Sequence, residues 1–149
     1  MKVRHGLPLA LVLLALPVLS SGADPAAAIK YRQNTMRAQG AHLANLMALS
    51  KGDFANKGHV TAHAQSLELT VKTAADVFPP ESKTGETDAL PAIWDKPAEF
   101  NQAYQALATA VPKLTAAAKS DKPDALGPAL AEVGKACKNC HDNFRKTKQ

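Results

Sequence analysis

The sequence predicts an all-α fold, an antiparallel four-helix bundle, and three observations carry that prediction. Four segments repeat apolar or small residues at alternating spacings of four and three, the period of a helix facing a bundle core. Past the first 23 residues the chain is rich in alanine, lysine and leucine and poor in isoleucine, valine and tryptophan, which favours helix over sheet. Proline and glycine gather mainly at the boundaries of these segments, where chain reversals belong.

Residues 1–23 read as a secretory signal peptide. Lys2 and Arg4 supply the charged start, Leu7 to Leu19 the apolar run, and Ser21, Gly22 and Ala23 the small residues for cleavage, expected after Ala23. The run is about 13 residues, short of the roughly 20 of a spanning helix. No later segment is apolar enough to span, so no stable membrane insertion is expected. The destination predicted is the periplasm of a bacterium, with residues 24–149 as one domain.

The first helix is expected from Pro25 to Ser50, with Ile29, Gln33, Met36, Gly40, Leu43 and Met47 as its core stripe. Lys51-Gly52-Asp53 ends it, with Gly52 as a left-handed cap. The second runs from Asn56 to Val77 on a stripe of Val60, His63, Leu67, Val71, Ala74 and Phe78, and Pro79-Pro80 stops it. Residues 79–96 form a long connection, pinned to the bundle by Ile93-Trp94. It is read as a crossing segment that leaves room for a cofactor. The third helix spans Pro97 to Lys119, with Phe100, Tyr104, Leu107, Val111, Leu114 and Ala118 inward and a kink or local split expected at Pro112. Asp121 caps the fourth and Pro123 sits just inside its start. Its stripe is Leu126, Leu130, Val133, Cys137, Cys140 and Phe144.

Within that last stripe lies Cys137-Lys138-Asn139-Cys140-His141. Cys-x-x-Cys-His is the pattern of c-type haem attachment. On a helix, positions i, i+3 and i+4 share a face. Two thiols can therefore meet the haem vinyl groups while an imidazole reaches the iron. The chain has two cysteines and the motif uses both. A thioredoxin-like pair would sit near a βαβ pattern, which is absent, and a zinc site would need a second half-site. His59 and His63, four apart, could hold a metal but lack acidic or cysteine partners nearby in sequence. Because the cysteines occupy core positions, one covalent haem c is expected inside the bundle. The formal charge is +5, without a basic stripe interleaved with aromatics, so nucleic acid is not an expected partner.

The chain resembles the class II c-type cytochromes, that is, cytochromes c′ and their low-spin relatives of the cytochrome c-556 group. Three patches carry the resemblance: Gly134 to Arg145 around the haem motif near the C-terminus, Tyr31-Arg32-Gln33 followed by Gly40, and Pro91-Ala92-Ile93-Trp94. It implies that Met36 faces the distal side of the haem, at the place where low-spin members carry a coordinating methionine. It places Arg32 and Gln33 beside the haem and its propionates, and Arg145 over the ligand imidazole. Met47 is assigned to the core.

The expected function is a periplasmic monohaem carrier of one electron, with His141 and Met36 as iron ligands. It performs no bond chemistry, so no enzymatic activity is expected, and its partners are other redox proteins. A homodimer through the first two helices is open. The alternative is a five-coordinate, high-spin cytochrome c′ that binds nitric oxide or carbon monoxide. A haem-free helical interaction module is a third reading, in which the cysteines form a disulfide or stay reduced.

Overall fold

The computed structural model describes residues 24–54, 56–120 and 122–147. The expected export signal, its cleavage point and the expected cap Asp121 lie outside the described residues. Among the described residues there are five helices: α1 (Pro25–Lys51), α2 (Lys57–Thr73), a short α3 (Ala92–Asp95), α4 (Pro97–Lys119) and α5 (Leu126–Phe144). Single 3₁₀ turns at Ala74–Asp76, Pro80–Lys83 and Pro123–Ala125 finish α2, fold the long connection and lead into α5. Among the described residues no helix is long and apolar enough to cross a membrane.

The ends of α1 follow from local chemistry. Asp24 accepts hydrogen bonds from the amides of Ala26 and Ala27, both at 3.3 Å, with Pro25 at the first helical position. At the other end Gly52 adopts φ 81°, a conformation that costs glycine nothing extra, and Asp53 N–H closes back on the Ala48 carbonyl at 3.0 Å.

The four long helices form a ring in which α1 packs on α2, α2 on α4, α4 on α5 and α5 back on α1. Side chains bridging α1 to α2 and α2 to α4 run in opposite numerical order, so these neighbours are antiparallel. Thr61 and Thr115 of α2 and α4 donate to the carbonyls of Ala118 and Ala64, and Tyr104 Oη donates to that of Val71 at 3.0 Å. Between α1 and α2, Gln39 donates to the Thr70 carbonyl, and His42 meets His63. The expected four-helix architecture holds, with α3 a single turn inside the crossing segment.

One end of the bundle is a close-packed core of Leu46, Ala64, Leu67, Val71, Ala110, Val111, Leu114, Leu130 and Val133. A second cluster, Ile93, Ala103 and Phe144 with Phe78, Trp94 and Phe100 against it, sits under the crossing segment. Its rings meet edge to face: Phe78 on Phe100 at 4.9 Å between centroids and Phe100 on Phe144 at 5.3 Å. Ile93 is buried, and Trp94 Nε1 donates to the Phe78 carbonyl at 3.0 Å, so this pair does pin the segment as expected.

Two expectations are corrected. The helix α4 is continuous through Pro112, whose ring lies on the exposed side, so it is not split there. The buried face of α1 is Ile29, Arg32, Thr35, Gln39 and Leu46, rotated from the predicted stripe. The helix serves two neighbours at once: this face meets α2 and the crossing segment, while Gln33, Met36, Gly40 and Leu43 look into a central cavity. Met47, assigned to the core, is 40% exposed, and its neighbour Leu46 is fully buried. Leu46→Ala should therefore cost about 2–5 kcal/mol in denaturant unfolding. Met47→Ala should cost less than about 1 kcal/mol. Equal losses would show that the stripe, not the rotated face, is the core.

Candidate haem site

The last two turns of α5 bring Cys137, Cys140 and His141 to one cavity of about 530 Å³. All three are half-buried, and the predicted shared face is the one observed. Both thiols are free. Burial raises the Cys137 thiol above its ordinary range. Burial, and then the neighbouring Cys137, push Cys140 up to about 11. The pair also lies toward the C-terminal, negative end of the helix dipole, which disfavours a thiolate. A thioredoxin-like nucleophile needs the opposite shift. At His141, burial first and Arg145 second lower the imidazole, against a smaller opposing effect of Asp142. The ring is thus neutral at neutral pH, the form that can bind a metal.

The opposite wall is α1, through Gln33, Met36, Gly40 and Leu43, and α4 closes the side with Phe100, Ala103, Tyr104 and Leu107. The volume lies within the roughly 300–1,000 Å³ of cofactor pockets. Apolar walls, one imidazole, two protonated thiols and arginines 37 and 145 at the margin match the needs of haem. They offer an iron ligand, two covalent anchors and charge for two carboxylates. The donor set fits covalent haem, and among the described residues no three His, Cys, Asp or Glu side chains gather as a metal site.

The structure places Arg32, Gln33 and Met36 in the lining of the cavity. It also shows what Arg32 is bonded to. Its Nη1 donates to Ser82 Oγ at 2.6 Å and to the Val77 carbonyl at 3.3 Å. Its Nη2 donates to Thr87 Oγ1 at 2.8 Å and the Ser82 carbonyl at 3.2 Å. The guanidinium lies over Phe78 and Trp94, 5.1 and 5.8 Å from the ring centroids. Those four bonds leave only Nε–H for any other acceptor. Gln33 Nε2 donates to the Glu86 carbonyl at 2.9 Å, tying α1 to the same segment.

The crossing segment is fastened at its far end too. Ala89 and Arg145 form an isolated antiparallel bridge. Leu90 N–H donates to the Phe144 carbonyl at 3.0 Å, and Lys146 N–H to the Asp88 carbonyl at 2.8 Å. Sequence reasoning missed this clamp. The available signal was Arg32 at helical spacing from Ile29, Thr35 and Gln39, a face too polar to read as buried.

The comparisons with known proteins agree with this geometry. The cytochrome c′ of Pararhodospirillum photometricum is 32% identical over 126 residues, covering 83% of this chain and all of that one. A ferrous variant of the Alcaligenes xylosoxidans cytochrome c prime, solved with nitric oxide bound, superposes with a TM-score of 0.79 at 33% identity, over 85% of this chain and 99% of that chain. A carbon monoxide-bound variant of the same protein gives 0.78 at 33% identity, over 84% and 98%. These findings overturn the expected low-spin electron carrier with Met36 as sixth ligand. A cytochrome c-554 of Cereibacter sphaeroides is also similar, 32% identical over 98% of this chain and 99% of that one, but the solved neighbours carrying nitric oxide or carbon monoxide are cytochromes c′, and an iron that holds such a gas needs a position without a protein ligand. A family model described as Cytochrome C′ matches residues 27–145, and on that match, with covalent haem c as its cofactor, the chain belongs to the cytochrome c′ family.

Proposed function

We propose that residues 24–149 form an exported, periplasmic cytochrome c′ that binds nitric oxide or carbon monoxide at a five-coordinate haem. The observation that carries this reading is the make-up of the cavity. Its α5 wall holds every group needed to bind haem, and among the described residues its α1 wall offers iron no stronger donor than the Met36 thioether. Cys137 and Cys140 would hold the group as thioethers, and His141 would hold its iron. When bound, the haem supplies an iron centre that takes up a neutral diatomic ligand.

The remaining residues shape that chemistry. Among the described residues, no imidazole, hydroxyl or carboxylate of α1 lines the cavity. A neutral diatomic ligand needs no countercharge there, and the wall presents no imidazole or carboxylate to compete with it for the iron. Gln33 and Arg37, the polar exceptions besides the buried Arg32 and Gln39, bond to the Glu86 carbonyl and to Asn34 Oδ1. Met36 fills space as a flexible thioether. Arg32 holds the crossing segment in place and so keeps the cavity's shape.

Absorption spectra of the ferric, ferrous and carbon monoxide-treated protein test the reading. The ferrous protein should be high-spin and should convert to a carbon monoxide adduct. A low-spin ferrous spectrum unchanged by the gas would defeat the proposal. Met36→Ala should change the carbon monoxide Kd by less than about tenfold, the equivalent of roughly 1.4 kcal/mol. Attachment is tested separately. With both Cys137 and Cys140 replaced by alanine, acid–organic extraction should strip the haem completely, whereas the parent protein should keep it.

A further inference from the structure

Away from the haem cavity, two histidines meet across the α1–α2 interface. His42 of α1 and His63 of α2 bring their Nδ1 atoms to 3.0 Å, with ring centroids 5.3 Å apart and planes at 50°. Both are half-buried. The contact is a hydrogen bond only if one of the two nitrogens presents a lone pair, so the doubly protonated pair is excluded from this arrangement. Replacing the shared proton by a metal ion turns two facing imidazoles into two ligands.

The separation selects the kind of ion. Metal–imidazole bonds of about 2.0–2.1 Å at a right angle place the two nitrogens about 2.9 Å apart, and a tetrahedral angle places them about 3.4 Å apart. The observed 3.0 Å matches adjacent ligands of a tetragonal ion, the preference of divalent nickel and copper. We propose that His42 and His63 form a two-imidazole site for a divalent nickel- or copper-type cation, clipping α1 to α2. Among the described residues no third His, Cys, Asp or Glu completes a cluster, so water fills the other positions. His59, one turn before His63, is exposed, and its Nε2 lies 3.2 Å from Asn56 Nδ2. Its ring centroid is 6.4 Å from that of His63, so it stands beside the chelate and not within it. This site does not depend on the haem reading.

Ferric holoprotein, in which the haem occupies His141, is titrated with Ni²⁺ in a calorimeter. One ion should bind per chain, and saturating Ni²⁺ should raise the thermal midpoint, since it binds the folded pair. His42→Ala and His63→Gln should each weaken binding by about tenfold or more and abolish the thermal shift. Cooperative unfolding of the variants without metal confirms that they fold. His59→Ala should bind within about twofold of the parent. The proposal fails if Ni²⁺ does not bind, if the His42 and His63 variants bind as the parent does, or if His59→Ala alone removes binding.

Discussion

The rest of the structure depends on a hole at the centre of the bundle. A four-helix bundle of this length ordinarily closes its core with side chains, yet here α1, α4 and α5 hold back from one another around about 530 Å³. A void of that size is far larger than those left by single side-chain truncations, which already destabilise cores measurably. The walls are consistent with each other only if a large, flat, mostly apolar group completes them. The cysteines and histidine of α5 are therefore core residues whose packing partner is the cofactor.

A buried cation keeps that hole in shape. Arg32 is 3% exposed, and its charge is met by two side-chain hydroxyls, two carbonyls and two aromatic faces. Such satisfaction is what makes a charge in the interior tolerable. It joins α1 to the end of α2 and to the crossing segment. The Ala89–Arg145 bridge then joins that segment to the residue one turn past His141. The helix offering the iron ligand and the helix facing it across the cavity are thus held by one continuous set of hydrogen bonds.

The correction over Met36 has a physical basis. A methionine in the wall of a cavity meets the needs of packing as readily as those of ligation, because its thioether is both a flexible filler and a weak donor. Residue type and spacing therefore place Met36 at the cavity without assigning it a bond. The gas-bound cytochromes c′ among the solved neighbours decide differently from that one position, and Gly40 and Leu43 beside Met36 are as well suited to leaving space for a small neutral ligand.

Much of the molecule was legible in the sequence. The ranges of α1 and α4, the glycine cap at Gly52, the pinning role of Ile93-Trp94 and the shared face of Cys137, Cys140 and His141 all follow from short-range rules. Capping, helical period and proline placement act within a few residues and need no tertiary partner. Only the tertiary structure decided the rotation of α1, the exposure of Met47, the work of Arg32 and the meeting of His42 with His63. On α1 two faces are in use, one against α2 and one against the cavity, and their periodicities overlap so that neither stripe stands out. Arg32 and the histidine pair are polar groups whose partners lie 21 to 55 residues away along the chain. Whether a polar side chain is a solvated surface group or a satisfied interior one is set by those distant partners, and the local sequence does not contain them.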